Sequence, residues 1–66
     1  MKLSTREQDV LTLIALGFSD KEMAVELKIS ERTIQTYIVS IFAKLNARNR
    51  ANAIFLYMRQ HPNWDI

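Results

Sequence analysis

Residues 19–33 read Ser19-Asp20-Lys21-Glu22-Met23-Ala24-Val25-Glu26-Leu27-Lys28-Ile29-Ser30-Glu31-Arg32-Thr33. Two helix openings are written into this stretch. Ser19 stands three residues before Glu22, the spacing of a capping box. There the serine hydroxyl and the glutamate carboxylate each accept a hydrogen bond from the other residue's backbone N–H. Ser30 caps a second helix, with Glu31 in its positive first turn. Phe18 with Met23, and Ile29 with Ile34, sit at the spacing of hydrophobic staples, which fix the angle at which the chain enters a helix. The first helix ends at Leu27, so only Lys28-Ile29-Ser30 is left to make the bend. Two helices crossing steeply over so short a joint form a helix-turn-helix, an arrangement that lays its second helix in the major groove of DNA.

Outward from this pair, the pattern predicts four helices, at about 5–16, 20–27, 31–46 and 50–60. Ser4 and Glu7 form a second capping box ahead of the apolar stripe Val10, Leu11, Leu13 and Ile14. Gly17 follows as a stop, since glycine enters the left-handed conformation without steric cost. In the second helix Met23, Ala24 and Leu27 make the buried side, and the small Ala24 lets a neighbouring helix come close. In the third helix Ile34, Ile38, Ile41 and Leu45 recur at the helical period and face the core. Its opposite face carries Arg32, Gln35, Thr36, Val39 and Ala43, with Tyr37 and Ser40 at the flanks. The fourth helix has Asn49 as cap and cannot continue past Pro62. Its run Ala53-Ile54-Phe55-Leu56-Tyr57-Met58 wraps more than one face, and the surplus suggests a second apolar contact. His61 is expected to act as a charge partner of the helix end, not as a base.

Composition narrows the function. Sixty-six residues make one small all-α domain, 1–66, and 48% apolar content is enough for a packed core. One Gly and one Pro argue for few turns. With no Cys and one His there is neither a disulfide framework nor a zinc site of the usual kind. The apolar run 53–58 is far too short to span a bilayer, and nothing at the N-terminus resembles a secretion signal. Catalysis would need a nucleophile with a base, an acid pair or a metal, and the chain offers none of these in a pattern. No catalytic residue, cofactor or small-molecule ligand is expected. The net charge of +2 hides an asymmetry. Residues 1–31 hold four basic and six acidic side chains, whereas residues 32–66 hold Arg32, Lys44, Arg48, Arg50 and Arg59 against Asp65 alone. A polyanion partner suits the second half.

These residues together resemble the LuxR/GerE-type DNA-binding domain of bacterial transcription factors. Leu3-Ser4-Thr5-Arg6-Glu7-Gln8-Asp9-Val10-Leu11 is similar to that family's first-helix signature, and Gly17-Phe18-Ser19-Asp20-Lys21-Glu22-Met23-Ala24 to its second-helix opening. Ser30, Thr33, Ile34, Ile41, Lys44, Leu45, Arg50 and Ala53 fall at the spacing of its third and fourth helices. The similarity runs from residue 3 to about residue 60. It implies a four-helix domain with helix three in the major groove of double-stranded DNA, and a homodimer formed through helix four on an inverted repeat. By position, Gln35, Thr36 and Val39 would read bases. Lys21, Arg32, Thr33, Tyr37, Ser40, Lys44 and Arg50 would hold or brace against the DNA backbone. Ala51, Ile54, Phe55 and Met58 would form the dimer face. RNA polymerase is a further partner such regulators imply, and the bacterial cytoplasm, at the nucleoid, the expected location. In this family the domain usually ends a longer regulator.

Four positions depart from the family pattern. Gln35 stands where Lys is common, Tyr37 where His is common, Ser40 where Asn is common, and Asn46 where Gly is common. The first two lower the positive charge at the groove, so nonspecific attraction should be weaker than for a typical member. Gln35 can still pair with adenine N6 and N7. Other readings stay open from sequence. A helical protein-interaction module could keep this fold without DNA affinity. Lys44 and Arg50 fit phosphate contacts, solvated charges or braces of the helix three–four turn. Phe55 and Met58 fit either core or dimer contact, and Arg6 is placed to pair with Glu7 or Glu22.

Overall fold

The computed structural model describes residues 2–64. Among these it has four helices, α1 Thr5–Ala15, α2 Asp20–Leu27, α3 Glu31–Leu45 and α4 Arg50–Gln60, and the fold is all-α. Each helix starts on a side-chain cap. Both capping boxes are closed. Ser4 Oγ accepts from the Glu7 N–H at 3.2 Å, and Glu7 Oε1 accepts from the Ser4 N–H at 2.7 Å. Ser19 and Glu22 repeat the exchange at 3.1 and 2.8 Å. Ser30 Oγ accepts from the Thr33 N–H, and Asn49 Oδ1 from the Asn52 N–H.

Three of the helices end in one way. The N–H of Phe18 donates to the Leu13 carbonyl, that of Ile29 to Ala24, and that of Ala47 to Phe42. Each bond spans a residue with positive φ, at Gly17 (90°), Lys28 (59°) and Asn46 (57°). This is the Schellman closure, which satisfies carbonyls that the helix leaves without partners. It also sets the helix limits. Leu16 and Asn46 are caps, so α1 and α3 each stop one residue short of the sequence expectation. At Lys28 the closure makes the joint, since the chain turns there and restarts on the Ser30 cap.

The core collects Leu3, then Val10, Leu11 and Ile14 of α1, Met23 and Ala24 of α2, Ile34, Ile38, Ile41 and Leu45 of α3, and Ala53 and Tyr57 of α4. Helix α3 packs against each of the other three. It is rich in β-branched residues, which cost a few tenths of a kcal/mol each in a helix. Burying a large aliphatic side chain stabilises by about 1.5–3 kcal/mol, so the four inward residues of α3 outweigh that preference. Beyond Pro62 the chain folds back. Trp64 donates its backbone N–H to the His61 carbonyl and meets the Tyr57 ring edge-on at 4.7 Å, and the His61 ring lies over Tyr57 at 4.3 Å. No helix among the described residues is long and apolar enough to cross a membrane.

One buried charge ties α1 to α3. Glu7 is only 4% exposed. Besides its capping-box bond, its Oε1 accepts from Lys44 Nζ at 2.7 Å and its Oε2 from the Ser40 hydroxyl. Arg6 therefore finds Glu7 occupied and facing inward, and Glu22 turned back to its own cap. It pairs instead with Asp9 at 3.7 Å on the exposed side of α1. Burial raises the Glu7 pKa, but the hydrogen bonds from Lys44, Ser40 and Ser4 outweigh it and hold the carboxyl at about 2, below the ordinary 4.5.

Two outcomes follow for stability. Lys28 is exposed and held in the left-handed region, which costs a non-glycine residue about 1–2 kcal/mol. Glycine removes that strain and gives back part of the gain as unfolded-chain entropy, so Lys28→Gly should stabilise by about 0.5–1 kcal/mol in urea titration. A loss of stability would show that the Lys28 side chain makes contacts that matter. The Glu7 pKa is lower folded than unfolded, so its contribution is full above about pH 4.5 and is lost as pH falls through about 2. Glu7→Gln should cost about 1.5–3 kcal/mol at pH 7 and flatten the stability profile across that window. Identical acid limbs in the two proteins would contradict the assignment.

Candidate nucleic-acid interface

The four inward residues of α3 leave its other face to solvent. Arg32, Gln35, Thr36, Val39 and Ala43 are all exposed there, and Val39, at 69%, is a branched apolar side chain with nothing folded over it. The first four line one shallow depression. The Thr36 hydroxyl donates to the Arg32 carbonyl one turn back at 3.1 Å, which turns its methyl group away from that bond. The face is neutral apart from Arg32, and small enough to approach a base edge closely. Gln35, Thr36 and Val39 therefore share one surface, as their spacing predicts.

The side chains expected near the DNA backbone fall into two groups. Lys21 and Arg32 are exposed and have no ion pair among the described residues. Thr33 bonds to the Ser30 hydroxyl at 2.9 Å at the start of α3, and Tyr37 packs its ring against the core at the edge of the exposed face. The others are already engaged within the protein. Ser40 and Lys44 both donate to Glu7, and the Lys44 side chain keeps only 23% exposure. Arg50 donates through Nη2 to Oδ1 of Asp20, whose Oδ2 accepts from Gln35 Nε2 at 3.3 Å. An ammonium and a guanidinium have further hydrogens to give, so these pairs do not exhaust either group.

Helix α4 is two-sided. Ala53 and Tyr57 are buried against the core, while Ala51, Phe55 and Met58 are exposed and Ile54 is half-buried. Phe55 and Met58 keep 59% and 47% of their surface, so the apolar surplus of this helix lies outside the core. Ala51, Ile54, Phe55 and Met58 follow helical spacing along one stripe.

Sequence reasoning missed two carboxylates. Glu7 was legible as a cap but not as the partner of Ser40 and Lys44, because a capping box leaves no trace of what the second carboxylate oxygen touches. Asp20 stands in the first turn of α2, where an acid suits the helix dipole. Its bridge to Gln35 and Arg50 joins three helices and needs the tertiary fold to be seen. No cluster of three or more His, Cys, Asp or Glu placed to hold a metal occurs among the described residues.

The comparisons agree with this fold. Residues 1–57 match the family described as bacterial regulatory proteins of the luxR family. The uncharacterized transcriptional regulatory protein YhcZ of Bacillus subtilis is 42% identical over 65 residues, which is 98% of this chain and 30% of that protein. The nitrate/nitrite response regulator protein NarP of Escherichia coli is 43% identical over 58 residues, 88% of this chain and 27% of that protein. The crystal structure of the response regulator ChrA of a heme-sensing two-component system superposes with a TM-score of 0.86 at 38% identity, over 91% of this chain and 30% of that one. The chain thus spans less than a third of each of these relatives. The family is one of DNA-binding domains of transcription regulators, not of enzymes. A helix pair joined at Lys28, a free polar face on α3 and the family match over most of the length lead to one conclusion: the chain belongs to the luxR family of bacterial regulatory proteins and is a helix-turn-helix DNA-binding domain that serves transcription regulation.

Proposed function

We propose that α3 enters the major groove by its N-terminal end and that Gln35, Thr36 and Val39 read base edges there. The observation that carries this reading is the unobstructed outward face of α3, held rigidly by a core stripe on its other side. Gln35 pairs with adenine, and the Thr36 and Val39 methyl groups suit the thymine methyl. Lys21, Arg32, Thr33 and Tyr37 make the first backbone contacts, and Ser40, Lys44 and Arg50 add to them with the hydrogens and lone pairs left over from their internal bonds. Such contacts fix register without reading sequence.

Two copies pair through Ala51, Ile54, Phe55 and Met58 of α4 about a two-fold axis. The support is the exposed apolar stripe, which a single copy leaves in water. Pairing of this kind sets two half-sites about one helical turn apart on an inverted repeat. Within a longer regulator the domain acts beside RNA polymerase at the nucleoid, in the cytoplasm. The alternative of a protein-interaction module that has lost DNA affinity would suit the low charge of this face, but the family match does not favour it.

Selection from a randomised duplex pool tests both parts. The wild-type chain should recover an inverted repeat. Gln35→Ala should recover the same repeat with preference relaxed at one position of each half-site, a loss of about 1–3 kcal/mol there. Equal weakening on every sequence would sink the base-reading role of Gln35, and recovery of single half-sites would sink the pairing through α4.

A further inference from the structure

Gln35 does not face the groove alone. Its Nε2 donates to Oδ2 of Asp20 at 3.3 Å, and Oδ1 of the same carboxylate accepts from Arg50. The three side chains come from the first residue of α2, the second turn of α3 and the first residue of α4. With Ile38, Val39 and Phe42 they line one hollow beside the exposed face of α3.

A carboxylate at neutral pH only accepts hydrogen bonds, so the end of the Gln35 amide turned to Asp20 is its NH2 group. Flipping the amide would set a carbonyl oxygen against a carboxylate. The amide nitrogen has two hydrogens, and giving Asp20 the one trans to the carbonyl oxygen leaves the other beside that oxygen. The amide therefore presents one donor and one acceptor side by side. Adenine offers the complementary pair, N7 as acceptor and N6 as donor, whereas guanine offers two acceptors, N7 and O6. A glutamine with no fixed partner can rotate to donate to guanine, and one locked by a carboxylate cannot do so without loss. Arg50 holds the other carboxylate oxygen and offsets its charge, so Asp20 can stand near DNA without repelling phosphates.

We propose that Asp20 is a positioning residue that sets base specificity: it fixes the amide of Gln35 so that α3 prefers adenine to guanine at the base pair this residue faces. The proposal rests on the assignment of Gln35 to the major groove. Asp20 touches no base itself and acts through Gln35, with Arg50 as its brace.

The test compares the wild-type chain with Asp20→Ala, Asp20→Asn, Gln35→Ala and the Asp20→Ala/Gln35→Ala pair on duplexes carrying adenine or guanine at the Gln35-dependent position. Asn keeps the shape of the side chain but can present either end of its amide, so it serves if Ala disturbs the start of α2. Both Asp20 variants should lower the adenine-over-guanine preference at that position on the order of tenfold and leave other positions unchanged. Once Gln35 is alanine, removing Asp20 should change nothing further at that base pair. An unchanged adenine preference in both variants would overturn the proposal and leave Asp20 as the partner of Arg50 only. Equal weakening on all duplexes, with a lower melting temperature, would also overturn it and reduce Asp20 to support for α2. Absence of salt-dependent binding by the wild-type chain would instead remove the DNA-binding assignment, and this proposal with it.

Discussion

The Glu7 carboxylate is nearly closed off from water and yet ionised, and the position of α3 depends on how that charge is satisfied. A buried carboxylate without partners would protonate or pull water into the core. Here the Ser4 N–H, the Ser40 hydroxyl and the Lys44 ammonium supply its hydrogen bonds. One residue thereby opens α1 and fixes the rotation and height of α3 against it. Burial of Ile34, Ile38, Ile41 and Leu45 gives α3 most of its hold, but apolar contact tolerates sliding, whereas a directional bond network tolerates little. The outward face of α3 is consequently fixed in position, which suits the base reading proposed for it.

The joint was legible because its signals are local. Ser19, Glu22, Ser30 and the apolar residues around them specify two helix starts, and what lies between must bend. The left-handed residue inside the bend was not legible, since Lys28 has no chemical preference for it, unlike Gly17 and Asn46. The conformation accompanies the closing bond from the Ile29 N–H to the Ala24 carbonyl, with Met23, Ala24 and Ile34 buried on either side of the bend. Trp64 was opaque for a related reason. A single aromatic residue after Pro62 has no period to read, and its seat on Tyr57 exists only once α4 is folded. The resemblance to the luxR family added the assignment of faces to roles, which residue spacing alone left open.

Charge on the reading side is distributed unevenly. Lys44 and Arg50 pair with Glu7 and Asp20, while Lys21 and Arg32 have no ion pair among the described residues. The face between them is held by an amide, a hydroxyl and a small aliphatic group. On the proposed reading, a domain built in this way draws less affinity from phosphates and more discrimination from base edges. The pairing proposed for the exposed stripe of α4 would complement this distribution, because joining two copies doubles the backbone contacts without adding charge to either.

The central claim is that this lightly charged domain binds duplex DNA through its own cations. Its most direct test is a salt titration of binding to random-sequence duplex DNA. A linear fall of log K with log salt is expected, with a slope of about −2 to −4 for each copy at about −0.9 for each phosphate neutralised. A slope near zero would contradict the claim, whatever affinity is found.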